Sequence, residues 1–203
     1  YSYDLFNKIL DKVSFQVESS DKVLLSGPSG SGKSTICKLL YRSLGTYSGN
    51  IEFNNTSECD YSLKAIRENI LYVGQNEKLF TGTIRENIEC FRPVEEETFK
   101  DICKICRLDS IVSGRPNRFN TVINASLNNL SGGEKQRIIL ARALLKKAKI
   151  IILDEALSEV NVTMEKEILD DIFVYFKDCT LIYVTHKNVD DKFEHIIRLE
   201  QSC

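Results

Sequence analysis

Residues Gly27-Pro28-Ser29-Gly30-Ser31-Gly32-Lys33-Ser34-Thr35 satisfy the pattern G-x-x-x-x-G-K-[ST] at every fixed position, and no other stretch narrows the possible folds as much. Such a loop works between a strand and a helix. Lys22-Val23-Leu24-Leu25-Ser26 reads as a short buried strand, and Ile36, Leu39, Leu40 and Leu44 recur at helical spacing until Gly45 stops the run. Successive backbone N–H groups of the turn and the positive end of the helix form a cradle for phosphate oxygens. Lys33 adds a point charge, and Ser34 a hydroxyl ligand for Mg²⁺. The alternative, a Gly/Ser-rich turn with a chance lysine, leaves the flanking strand and helix unexplained.

At 203 residues, 42% hydrophobic and 28% charged, the chain has the composition of an ordinary globular domain. A net charge of −2 gives no general footprint for nucleic acid or an anionic membrane surface. Seven cysteines, an odd number scattered from Cys37 to Cys203, suit reduced thiols better than a disulfide framework. Cys103-x-x-Cys106 has no second pair and the chain has two histidines, so both thiols read as half-buried helix positions rather than metal ligands. There is no apolar run of membrane-spanning length and no signal-peptide pattern. The chain opens at Tyr1-Ser2-Tyr3 without a methionine, which predicts a domain of a longer polypeptide whose membrane-spanning part lies elsewhere.

Val13, Phe15 and Val17 alternate on one face and Val23 to Leu25 follow, a pattern that predicts a small antiparallel sheet leading into the loop. Beyond the first helix, Gly49-Asn50-Ile51-Glu52-Phe53 reads as a strand and Asn54-Asn55 as a turn. Ile70 to Gly74 read as a buried strand that presents Gln75 at its end. From about residue 83 to 112 the period turns helical, with Ile84 and Ile88 on one face, Phe99, Ile102, Cys103 and Cys106 on another, and Pro93 between them. This is a helical insertion. Residues 113–129, rich in Asn, Ser, Arg and Gly, read as a surface loop.

Leu130-Ser131-Gly132-Gly133-Glu134 opens the clearest helix, with Ile138, Ala141, Leu144 and Leu145 keeping one face. Ser131 and Glu134 have the spacing of a capping box. A cap does not explain two glycines in the first turn, each costing on the order of 1 kcal/mol against Ala in a helix. Bare backbone at a helix N-terminus admits an anion closely, so Gly132 and Gly133 point to a second phosphate contact. Ile150 to Leu153 are apolar on both faces, as in the centre of a covered parallel sheet, and they end at Asp154 and Glu155. Two carboxylates there are costly unless they serve a metal and a reaction. Asp154 suits a Mg²⁺ shell, and Glu155 is placed to orient or deprotonate an attacking water. Thr180 to Thr185 form another buried strand ending at His186, on the sheet edge where open α/β proteins bind ligands. His195, inside the final strand, reads as structural.

With these residues in this order the chain resembles the ATP-binding cassette family over nearly its whole length. The resemblance implies an α/β fold: a P-loop NTPase parallel-sheet core with an N-terminal antiparallel β subdomain and an inserted α-helical subdomain. By that resemblance residues 1–76 and 148–203 make the β subdomain and catalytic core, and 77–147 the helical subdomain with the signature Leu130-Ser131-Gly132-Gly133-Glu134. It implies ATP and Mg²⁺ as cofactors. Gly27, Pro28, Ser29, Gly30, Ser31, Gly32, Lys33, Ser34 and Thr35 would bind the nucleotide, with Tyr3, or in its place Tyr1, stacking on adenine. Ser34, Gln75 and Asp154 would surround the metal, Glu155, Gln75 and His186 would serve catalysis, and the signature would reach the nucleotide of a second chain. The implied partners are a second nucleotide-binding domain, identical or not, and a transmembrane domain fused upstream, at the cytoplasmic face of the cell membrane. No nucleic acid is implied.

Leu79-Phe80-Thr81-Gly82-Thr83-Ile84-Arg85-Glu86-Asn87-Ile88 resembles the corresponding segment of exporters that carry membrane and ATPase parts on one polypeptide. The implied activity is ATP hydrolysis coupled to export, with peptides or bacteriocins as cargo. Three departures stand out: Glu134 where Gln is common, Asn124-Ala125-Ser126-Leu127 in place of Gly-Glu-Arg-Gly, and Asn161 in place of Asp. The first is harmless, the second bears on docking to the membrane domain, and the third on cross-talk between paired sites. The rival readings are a DNA-repair or chromosome-maintenance ATPase, a nonhydrolytic regulatory cassette and a small-molecule phosphotransferase. The first calls for long coiled coils, and no sustained heptads separate Gln75 from Leu130. Glu155 and His186 argue against the second, and the third leaves the signature unexplained.

Overall fold

Four consecutive apolar residues, Ile150 to Leu153, can bury both faces of a strand only in the interior of a sheet, and the computed structural model puts them there. It describes residue 1, residues 9–124 and residues 129–200. In chain order the elements are β1 (Lys22–Ser26), α1 (Lys33–Leu40), β2 (Glu52–Phe53), β3 (Thr56–Ser57), α2 (Leu63–Asn69), β4 (Ile70–Val73), β5 (Gly82–Thr83) and α3 (Ile84–Glu89). There follow α4 (Glu96–Ile105), α5 (Asp109–Val112), β6 (Val122–Ile123), α6 (Gly132–Leu144), β7 (Ile150–Asp154), α7 (Val162–Tyr175), β8 (Thr180–Val184) and β9 (His195–Arg198). Five strands form one parallel sheet in the order β4-β7-β8-β1-β9. The register sets Leu153 beside Val73 and Tyr183, and Leu24 beside Tyr183 and Ile196.

Alternation along these strands feeds two cores. Leu24, Val73, Ile151, Leu153, Leu181 and Tyr183 face the helices α3 to α7, whereas Leu25, Ile70, Ile152, Ile182 and Val184 face α1 and α2 through Ile36, Cys37 and Ile66. Each fully buried aliphatic side chain contributes roughly 1.5–3 kcal/mol, so a sheet covered on both sides is what this pattern stabilises. The helical run divides at Pro93 into α3 and α4 as the spacing predicts, with Thr83 and Glu86 closing a capping box on α3.

The N-terminal strands are a correction. No strand forms over Val13 to Val17, where Val13 and Phe15 are 41% and 37% exposed. Residues Val23 to Leu25 do not enter an antiparallel sheet but the parallel one, between β8 and the edge strand β9. Alternation marks a half-buried strand only where a neighbour offers a ladder, and the antiparallel pairs among the described residues are β2 with β3 and β5 with β6. The second of these takes Val122 and Ile123 out of the expected surface loop, and Ile123 is buried. Cys103 and Cys106 are fully buried rather than half-buried, and burial pushes the Cys103 thiol up to about 12 and that of Cys106 higher still. Tyr3 and Ala125 to Leu127 lie outside the described residues. Among the described residues no helix is long and apolar enough to cross a membrane.

Candidate nucleotide site

The phosphate loop runs from the end of β1 to the start of α1. Gly32 is the N-cap of α1 at φ 92°, and Gly30 has φ 82°, left-handed conformations that glycine adopts without strain. No side chain caps α1, so its first N–H groups remain directed at the loop. Lys33 folds back over the turn, donating from Nζ to the carbonyls of Gly27 at 2.9 Å and Pro28 at 2.8 Å. Desolvation lowers its pKa below the ordinary lysine value, opposed by the carboxylates of Glu155 and Asp154. Ser31 Oγ is buried without a hydrogen-bond partner among the described residues. Leu10 lies against Gly32, and its backbone carbonyl accepts from the amino group of Tyr1 at 2.8 Å.

Three strand ends converge beside this loop. Ser34 Oγ donates to Asp154 Oδ1 at 2.8 Å, joining α1 to β7, and Tyr72 OH donates to Asp154 Oδ2 at 3.0 Å, joining β4 to β7. Asp154 is 3% exposed. Burial first, and then the Asp154 carboxylate, push the Tyr72 phenol far above its ordinary pKa, so it remains a donor. Glu155 has left-handed backbone at φ 56°, its N–H is held by the Val184 carbonyl at 3.0 Å, and His186 Nε2 lies 2.8 Å from its Oε1. The sheet order explains the grouping, because β8, which leads to His186, lies between β1, which leads to the phosphate loop, and β7, which ends at Asp154.

The signature turn is built as the sequence predicts, with Ser131 N–H to Glu134 Oε2 at 2.7 Å and Glu134 N–H to Ser131 Oγ at 3.3 Å. Its glycines permit close packing. A Cβ on Gly132 would fall 1.6 Å from Glu159 Oε2, and one on Gly133 would fall 2.8 Å from the Glu159 backbone oxygen. Gln136, one turn on, accepts from Glu159 N–H at 2.8 Å and donates to Ser158 Oγ at 2.8 Å. Gln75 is exposed and lines a recess of about 100 Å³ with Gly132, Lys135, Gln136 and Glu159. The structure thus brings Lys33, Ser34, Asp154, Glu155 and His186 together, and sets Gln75 with the signature helix.

Sequence reasoning missed Tyr72 as a support of Asp154; an alternating residue two places before Gly74 carried no signal of that role. It also left Asn161 without a structural task, although Asn161 Oδ1 caps α7 by accepting from Met164 N–H at 2.9 Å. An Asn three residues before a helical N–H donor is a legible cap.

The residues fit a nucleoside triphosphate with a hard divalent cation. The loop offers an orphaned buried hydroxyl and an ammonium resting on neutral carbonyls, and Ser34 and Asp154 are oxygen donors of the kind Mg²⁺ takes. That chemistry, at the carboxyl edge of a parallel sheet, defines the class as P-loop nucleotide-binding domains. Within the class the chain belongs to the ABC transporter family, whose model matches residues 10–158. The lactococcin G processing and transport ATP-binding protein of Lactococcus lactis is 37% identical over 99% of this chain and 29% of its own length. The microcin J25 export ATP-binding/permease protein of Escherichia coli is 38% identical over 92% of this chain and 32% of its own length. A bacterial Atm1-family ABC exporter, solved with ATP bound, has a TM-score of 0.91 at 28% identity, covering 100% of this chain and 36% of that one. The chain therefore spans about a third of the length of these relatives.

Proposed function

We propose that this chain is the ATP-hydrolysing motor of an exporter and that cycles of ATP-driven pairing with a second such domain drive a fused transmembrane part. The observation that carries the reading is the meeting of Lys33, Ser34, Asp154, Glu155 and His186 at one sheet edge. Mg²⁺-ATP, when bound, supplies the γ-phosphoryl group and a cation that neutralises charge on its oxygens. Lys33 exchanges the Gly27 and Pro28 carbonyls for phosphate oxygens, and the backbone from Gly27 to Thr35 closes around them. Ser34 and Asp154 would hold the cation, with Tyr72 keeping the second Asp154 oxygen in place, and Gln75 would be its third protein ligand. Glu155 accepts the proton of the attacking water, and His186 steadies both Glu155 and the phosphoryl oxygens. Tyr3, or in its place Tyr1, would stack on the adenine.

In this reading Leu130, Ser131, Gly132, Gly133 and Glu134 serve the nucleotide of the paired chain, and residues 77–147 move as a helical subdomain against the core formed by 1–76 and 148–203. The membrane domain places the motor at the cytoplasmic face of the membrane. The lactococcin and microcin transporters among the relatives support peptides or bacteriocins as cargo. The test is chromatographic. Glu155→Gln keeps the shape of the site and removes the base, so it should accumulate as a dimer with ATP and not with ADP, and a further Ser131→Arg should abolish the dimer. Dimerisation that survives Ser131→Arg, or that ADP supports equally, refutes pairing through the signature.

A further inference from the structure

Beside the candidate site lies a buried ion pair that none of the roles above uses. Glu165, on the first turn of α7, has a fully buried carboxylate at 0% exposure. Its Oε1 accepts from Tyr183 OH at 2.6 Å and from Thr185 Oγ1 at 3.3 Å, and its Oε2 faces Lys187 Nζ at 2.7 Å. The Lys187 ammonium spends its other two donors on the chain that follows β7: one on the Leu157 carbonyl at 2.6 Å and one on the Val160 carbonyl. Two overlapping turns follow Glu155, one closed by Ser158 N–H to Glu155 O at 3.2 Å and the next by Val160 N–H to Leu157 O at 3.0 Å, and the two carbonyls stand at the ends of the second.

We propose that Lys187 and Glu165 are positioning residues that hold the Glu155 turn and the His186 loop in one fixed relation. His186 sits between Thr185 and Lys187, and both neighbours are anchored on Glu165. Glu155 begins the pair of overlapping turns over 155–160, and Lys187 grips two carbonyls of the second. One ammonium thus joins the two backbone segments whose side chains meet at 2.8 Å. An apolar pair of the same size would fill this volume without desolvating two charges. It could not grip two carbonyls of one loop while anchored beside His186, which is the geometric task the pair performs. The proposal rests on the reading of Glu155 and His186 as the working pair.

The experiment uses the full-length protein. Lys187→Met should lower kcat by about tenfold to a hundredfold, the scale of loss when reacting groups shift by an ångström, while ATP affinity stays within about threefold of the parent. In a His186→Ala background the same change should cost at most about twofold, because the partner it positions is gone. Without nucleotide, hydrogen exchange over residues 155–160 should quicken at least tenfold in Lys187→Met and stay unchanged in β7. Should Lys187→Met not fold, the charge-neutral Lys187→Gln/Glu165→Gln pair should give the same exchange pattern, since Gln is too short to hold both carbonyls. Losses from Lys187→Met and His186→Ala that multiply, or unchanged exchange over 155–160, overturn the proposal. A parent protein without ATPase activity would refute the motor reading instead, and the exchange result would still decide whether Lys187 holds the turn.

Discussion

The two signature glycines should respond unequally to the same substitution. A Cβ on Gly133 meets backbone, the Glu159 oxygen at 2.8 Å and the Glu159 carbon at 3.4 Å. That backbone is fixed by Gln136 Oε1 on the Glu159 N–H and by the bond from Val160 N–H to the Leu157 carbonyl. Gly133→Ala must therefore push the first turn of α6 away, an overpacking cost of about 1–3 kcal/mol, against a helix-propensity gain of at most about 1 kcal/mol. The net is a loss of about 0–3 kcal/mol, centred near 1.5 kcal/mol, or about 3–6 °C in Tm for a chain of this size. The nearest atoms to a Cβ on Gly132 are those of the Glu159 carboxylate, at 1.6 Å, the end of an exposed side chain that can swing into solvent. Gly132→Ala should thus fall within about 0.5 kcal/mol of the parent, on either side. Thermal unfolding followed by far-UV circular dichroism measures both, and Glu159→Ala added to Gly132→Ala should remove whatever cost remains. If Gly133→Ala is as stable as Gly132→Ala, the α6 turn is not seated on the 159–160 backbone and the packing argument fails.

Tyr72→Phe removes a donor to a buried carboxylate and should cost about 1.5–3 kcal/mol in denaturant unfolding, while weakening the Mg²⁺ dependence of ATP binding; an unchanged midpoint and an unchanged metal titration would count against it. Tyr183 and Tyr72 are raised by burial from the ordinary phenolic 10.0, and Cys106 from 9.0, so their contribution is complete below those values and is lost as pH rises above them, where only the unfolded chain ionises. Stability measured against pH in that alkaline range should fall by about 1.4 kcal/mol per pH unit for each such group, and Tyr183→Phe should flatten the slope by one group. Asn161→Ala should cost about 1 kcal/mol by uncapping α7, whereas Asn161→Asp should be neutral or stabilising at the helix N-terminus; equal unfolding midpoints for Ala and Asp would contradict the cap.

What the sequence disclosed was what local chemistry encodes. Lys33, Ser34, Asp154, Glu155 and His186 each stand at a strand or helix end whose pattern is readable over a few residues, and they meet in the structure. α7 escaped notice although Glu165, Ile168, Leu169 and Ile172 share its buried face, because a glutamate at the first of these positions breaks the apolar period. α2 buries one residue, Ile66, and so has no periodic face to read. The misplacement of β1 has another cause. Alternation says that a residue pair faces one side, but not which strand lies next to it, and the neighbours of β1 are far away in the chain. The Lys187 tie was illegible for the same reason: its acceptors, Leu157 and Val160, are carbonyls, which every residue has.

The strand that launches the phosphate loop has a consequence in time. β1 precedes the other described elements of this domain, yet its ladder partners, β8 and β9, are the last two strands among the described residues. As the polypeptide emerges, the glycine loop has no sheet to hang from until Thr180–Val184 and His195–Arg198 have been synthesised. Pairing across so long a stretch is slow, because loop closure must precede any contact that rewards it. The loop can therefore become rigid only after the β8 strand that ends beside His186 exists, so a prematurely ended chain would lack an ordered phosphate cradle. The order of synthesis itself would keep half-made molecules from trapping nucleotide.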